Sequence, residues 1–166
     1  MTGKYQRTGF THIRNDQLWQ EQNHDAYKAK GKLPEPSFCP QCGAVFHHGR
    51  WQWMVSPEGA HARSCPACQR IHDHFPAGFL RMQGGFMRQH RDEVMNLVRN
   101  VETREKTEHP LKRIIAITEQ GGEILVTTTD INLARSIGDA LHHAYQGNLE
   151  YHYNADQNLL RVEWIH

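Results

Sequence analysis

The 166-residue chain has no run of about 18 apolar residues, which excludes a membrane-spanning helix. Its opening stretch, MTGKYQRTGFTHIRNDQ, lacks the apolar segment that a signal peptide or anchor needs, so a reducing, cytoplasmic compartment is expected. The patterns GxxxxGK[ST], GxGxxG after a strand, GxSxG and HExxH are all missing, and catalysis is therefore not expected. Cysteine occurs only four times, so no fifth thiol competes with Cys39, Cys42, Cys65 and Cys68. There is no internal repeat beyond those two pairs. Apolar residues make up 38% of the chain, and the mean hydropathy is strongly negative. That balance fits a soluble protein with polar segments beside its folded parts.

What is present begins with charge. Nineteen Lys/Arg face eighteen Asp/Glu, but the signs are not evenly spread. Residues 1–106 carry fifteen basic and ten acidic side chains, whereas residues 107–166 carry four and eight. A basic front part suits a polyanion, although the excess is mild for a dedicated nucleic-acid binder.

The cysteines carry the strongest chemical signal. Cys39-Pro-Gln-Cys42-Gly and Cys65-Pro-Ala-Cys68 are separated by twenty-two residues. In each pair two thiolates sit at the spacing with which a tight turn grips one metal, and Gly43 permits the backbone conformation of such a knuckle. Two turns complete a tetrahedral Zn²⁺ site, and four thiolates leave no open position for catalysis, so the metal is expected to be structural. A redox disulfide is the competing reading. It is disfavoured because a thioredoxin-like motif occurs once, at a helix start within a βαβ pattern. His47, His48, His61, His72 and His74 flank the module and offer alternative ligands or a second site, while His142 and His143 read as a polar helix end. Asp73 between His72 and His74 invites an acid-base reading that a lone HDH supports weakly.

Four segments follow. Residues 1–37 mix basic residues with Tyr5, Phe10, Trp19 and Tyr27 and read as a basic tail, disordered alone, that is either inert or orders on RNA. Residues 38–75 form the zinc module, a ribbon or treble clef with short strands in VFHHGRWQWMV. Residues 76–106 hold a Gly/Pro-containing connector, PAGFLRMQGGF, and a helix from about Met87 to Thr103 with Val94, Val98 and Val101 on one stripe. Residues 107–166 read as a small antiparallel ββαββ domain, with a hairpin turn at Gly121-Gly122 and a helix capped by Asp130. The fold class is thus α+β: a zinc module joined by a helix to a small domain in which one helix covers one sheet face.

Arginine forks bind phosphate and planar aromatics stack on unpaired bases. Arg50, Arg63, Arg70, Arg81, Arg88 and Arg91, with Lys28, Lys30 and Lys32 of the tail, are the candidate RNA contacts. Trp51 and Trp53 read either as core of the zinc module or as stacking platforms.

CPQCG and CPAC, followed by PAGFLRMQGG, a helix and RIIAITEQGGEILVTTTDINLARSIGDALHHAYQGNLEYHY, carry a resemblance over residues 38–154. In this stretch the chain resembles the N-terminal region of the nonsense-mediated decay protein three family, archaeal and eukaryotic adaptors of the large ribosomal subunit. Members of that family have more cysteine knuckles and longer C-terminal parts. This chain therefore reads as a shortened bacterial relative, and nuclear export is not implied. The resemblance implies contact with ribosomal RNA or the large subunit, in biogenesis, hibernation or quality control. The alternative is a zinc-dependent protein-interaction module without RNA.

Overall fold

The computed structural model describes residues 9–14, 26, 27, 29 and 31–166. In chain order its elements are β1 (Thr11–Ile13), β2 (Ser37–Phe38), β3 (Val45–His47), β4 (Arg50–Gln52), β5 (His61–Ala62), α1 (Pro66–Asp73), β6 (Gly78–Gln83), α2 (Gly85–Gln89) and α3 (Arg91–Glu108), then β7 (Ile114–Gln120), β8 (Glu123–Thr128), α4 (Ile131–Tyr145), β9 (Asn148–Asn154) and β10 (Leu159–Ile165). They form a mixed α+β structure with two sheets: a four-stranded one in the order β4-β3-β2-β5 and a six-stranded one in the order β1-β9-β10-β6-β8-β7. Among the described residues no helix is long and apolar enough to cross a membrane.

The large sheet departs from the sequence reading in one instructive way. Residues 76–86 were expected as a connector and the following segment as a self-contained ββαββ unit. Instead Gly78–Gln83 is strand β6, which lies between β10, parallel to it, and β8, antiparallel to it. Because β8 is antiparallel to both β6 and β7, the helical crossing from β6 to β7 joins two strands that run the same way with a third between them. The crossing through α4 from β8 to β9 is split in the same manner by β10 and β6. The glycine at position 78 that suggested a loop serves a close approach: a Cβ there would lie 2.7 Å from the Ala134 Cβ and would also collide with the Thr128 Oγ1. Thr11–Ile13, within the stretch expected as tail, pairs with β9 at the sheet edge. Tyr5, Trp19, Lys28 and Lys30 lie outside the described residues.

Strand alternation divides this sheet into two faces. Leu80 and Met82 of β6, Ile124 and Val126 of β8, and Leu160, Val162 and Trp164 of β10 are buried toward the helices. They meet Leu133, Ile137 and Leu141 of α4 and Val94, Val98 and Val101 of α3, the stripe that the helical period anticipates. The opposite face carries His12, Glu150, His152, Arg161, Glu163 and Arg81 beside the buried Phe79 and Leu159. Local chemistry fixes the element ends as expected. The Asp130 carboxylate accepts from the Leu133 amide at 3.0 Å at the start of α4. The β7–β8 turn places Gly121 and Gly122 at φ +61° and +78°.

Candidate metal centre

Each cysteine pair is presented by a different kind of backbone. After β2 the chain turns tightly: the Gly43 amide donates to the Cys39 carbonyl and the Cys39 amide to the Ala44 carbonyl, both at 2.8 Å. Gly43, at φ +80°, takes the left-handed conformation that this turn requires. The second pair sits at a helix start. Cys65 is the N-cap of α1, Pro66 opens its first turn, and the Cys68 amide donates to the Cys65 sulfur at 3.4 Å. A helix N-terminus favours negative charge, so this placement suits thiolates.

The four sulfurs converge, all lying within 4.8 Å of one another. None of the four cysteines is in a disulfide. A tetrahedral metal with metal–sulfur bonds of about 2.3 Å requires sulfur–sulfur separations of about 3.8 Å. The Cys42 and Cys65 sulfurs are 3.8 Å apart, so the donor set and spacing fit a four-coordinate ion. Cys39 and Cys65 are fully buried and Cys68 nearly so. Burial, together with the charge of Cys39, pushes the Cys42 thiol up, and burial does the same to Cys65. At Cys39 burial also raises the value, but backbone contacts from Cys65, Cys42 and Gln41 outweigh it and hold the thiol at about 7. Four such groups packed together cannot all ionise without a cation.

One positive group from the other region reaches this cluster. The Arg113 guanidinium, 9% exposed, places Nη2 3.2 Å from both the Cys65 and Cys68 sulfurs. Burial alone would lower its pKa, but the neighbouring Cys68, Cys65 and Cys42 sulfurs raise it, so the charge is retained. A divalent ion with four thiolates carries a net double negative charge, which Arg113 partly neutralises. The loop bearing it is tied to α3. Lys112 pairs with Glu105 at 2.9 Å, and the Ile114 amide donates to Glu102 at 2.7 Å. Leu111 of the same loop, with Trp51, packs against the cysteines. Sequence reasoning missed Arg113, because it lies 45 to 48 residues from the sulfurs that it contacts and no local pattern marks it.

The chain matches no family model, and neither the curated proteins nor the solved structures yield a match. The site must be read from its own chemistry.

The candidate RNA contacts separate into groups. Arg70 is withdrawn: it is only 2% exposed, donates to the Phe75 carbonyl at 3.0 Å and lies 4.4 Å from the Tyr27 ring centroid. Its place in α1 turns it inward, under Tyr27, so it is a structural residue. Arg91 is exposed but paired with Glu119 and Asp92, and Arg81 is paired with Glu123. Arg88 and Arg63 are exposed. Lys32 and Arg50 come together with Tyr27, Phe46 and Trp51 along a groove of about 1030 Å³ that Glu35, Asp130 and the 109–112 loop also line. Trp51 is half-buried, with its ring 5.5 Å from Phe46, whereas Trp53 is 39% exposed and donates to the Lys106 carbonyl at 2.7 Å. Of the flanking histidines none joins the four-cysteine cluster. Asp73 accepts from Tyr27 at 2.9 Å, and its carboxyl is lowered by hydrogen bonds from His72 and then Tyr27. That aspartate anchors Tyr27, which leaves the HDH sequence a structural explanation.

Proposed function

We propose that Cys39, Cys42, Cys65 and Cys68 bind one structural Zn²⁺ in a treble-clef arrangement, and that this cytoplasmic protein is a non-catalytic RNA-binding factor of the large ribosomal subunit. The zinc part rests on an all-thiolate donor set with no position left for water or substrate. The RNA part is carried by one observation: a groove beside the cysteine cluster that combines Lys32 and Arg50 with the rings of Phe46 and Trp51. Cations that track phosphates and aromatic faces that stack on bases are the two components of single-strand recognition. Arg63 and Arg88 are exposed as well, Arg88 beside Gly122 of the β7–β8 turn. The resemblance to the nonsense-mediated decay protein three family points to the ribosome as the source of that RNA.

Co-sedimentation of the zinc-loaded protein with separated ribosomal subunits over a salt series tests this reading. Binding is expected to one subunit, to weaken steeply as salt rises, and to be lost in a Lys32→Glu/Arg50→Glu variant. Absence of binding at low salt overturns it.

A second reading has its own support. Trp53, Met54 and Val55 form a consecutive exposed apolar stretch after β4, with Val55 90% exposed. Such a patch suits a protein partner, and a complex that survives nuclease treatment and is lost on Val55→Asp would favour it.

A further inference from the structure

The face of the large sheet away from α3 and α4 holds a second group of metal-ligating side chains, on strands remote from the cysteines in sequence. Glu150 and Glu163 are direct cross-strand partners on β9 and β10, and His152 follows Glu150 on the same face of β9. One ligand atom from each of the three lies within 4.8 Å of the others, and the His152 Nε2 is 3.4 Å from Glu150. The His12 ring, from the edge strand, stands edge-on to His152 with centroids 5.5 Å apart.

Two carboxylates placed opposite each other on paired strands repel. Two cations share this face, and Arg161, the cross-strand partner of His152, lies over the Phe10 ring with its guanidinium 4.6 Å from the ring centroid. Arg81 is the cross-strand partner of Glu163 on β6, yet its Nε lies 3.4 Å from Glu123 on β8. The Glu163 side chain makes no ion pair with another described residue, its backbone being paired in the sheet. The sheet therefore holds a pair of carboxylates and an imidazole, all half-buried, whose ligand atoms lie within reach of a single ion.

We propose that Glu150, His152 and Glu163 bind a second, exchangeable divalent transition-metal ion. One imidazole with two carboxylates is a nitrogen and oxygen donor set. It suits Mn²⁺, Fe²⁺, Co²⁺, Ni²⁺ or Zn²⁺, whereas the thiolate cluster is selective for softer ions. Three protein ligands leave positions for water, so this ion exchanges readily where the cysteine-bound one does not. His12 lies beside the site and supplies a further imidazole to hold that water or to join the ion.

The experiment uses the full-length protein with its cysteine site kept zinc-loaded, titrated with Co²⁺ and followed by calorimetry and amide-detected NMR. One equivalent is expected to bind, with paramagnetic broadening centred on residues 150–152 and 161–163 and unchanged signals at 39–42 and 65–68. Glu163→Gln and His152→Asn should each weaken binding by more than about tenfold, since even outer-sphere losses at metal sites cost that much. Both variants replace partly exposed side chains, and their unfolding curves without Co²⁺ provide the check on folding. The proposal is overturned by an absence of saturable binding. It is equally overturned by broadening centred on other histidines such as His47 and His48, or by unchanged affinity in both variants.

Discussion

The two sheets are held together by different physics. The six-stranded sheet closes over an apolar core in which Leu80, Met82, Val126, Leu160, Val162 and Trp164 meet the stripes of α3 and α4. The four-stranded sheet has strands of only two or three residues, and the buried cluster beneath it consists of Cys39, Cys65, Ala67 and Cys68. A core so small cannot offset the entropy of ordering its chain. One region is stable by area buried, and with the proposed zinc bound the other is stable by ligation.

The sharpest way to break this contrast is to remove the metal. Structural zinc sites contribute about 10–16 kcal/mol of binding free energy that is also folding energy. Chelation, or Cys65→Ser, is expected to abolish amide protection in residues 37–75 while protection persists in β6, β8 and β10. Hydrogen exchange read residue by residue checks this, and uniform loss across both regions would show that they fold as one unit.

The converse perturbation acts on the large sheet. Leu80 is fully buried at its centre, so Leu80→Ala should cost about 2–5 kcal/mol of unfolding free energy. Zinc content and the exchange behaviour of the cysteine module should stay unchanged if the two regions are independent. A fall in metal content measured on the purified variant would show that ligation depends on the larger core.

How much of this was readable beforehand follows from the range of each interaction. The cysteine ligands, the Asp130 cap and the Gly121-Gly122 turn are short-range features, each set by residues within four positions, and sequence spacing exposes them. The Val94, Val98 and Val101 stripe is visible for the same reason: helical period is local. Strand β6 was misread because Pro76, Gly78, Gly84 and Gly85 bracket a short apolar run, and glycine marks a close packing contact as readily as a turn. Gly78 meets Ala134, fifty-six positions away, and no local rule reports that. Arg70 and Arg91 look alike in sequence, yet one is buried beneath Tyr27 and the other is exposed. Arginine exposure is decided by tertiary neighbours. Arg113 is the extreme case, a long-range contact between the regions with no motif around it.

That contact gives the next way to sharpen the comparison. Arg113→Met keeps the apolar length of the side chain and removes the charge facing Cys65 and Cys68. Zinc affinity in competition with a colorimetric chelator is expected to fall by about 10–100-fold, the usual cost of losing an outer-sphere partner. The large sheet should keep its exchange protection. Arg113→Lys is expected to recover only part of the affinity, because one ammonium cannot reproduce the planar fork whose Nη2 bridges both sulfurs.

The smallest effect concerns the tether of that loop. Glu105 and Lys112 form a largely buried pair at 2.9 Å, with each side chain about one-fifth exposed. Burial raises the Glu105 carboxyl, but the hydrogen bond and charge of Lys112 outweigh it and hold the carboxyl below its ordinary 4.5. A carboxyl depressed in the folded state contributes stability that is present above its unfolded pKa and is lost as pH falls through the folded one. Glu105→Gln should therefore lower stability near neutral pH by about 0.2–1 kcal/mol, and the gap from the unaltered protein should close below pH 4.5. Denaturant unfolding of the zinc-loaded protein, monitored at residues of α3, reads this directly. A gap that persists at low pH would mean that the substitution acts through packing and not charge. Pairing the change with Arg113→Met then decides whether the tether matters to the metal: the two effects on zinc affinity add if the loop is rigid without Glu105, and overlap if Glu105 is what aims Arg113.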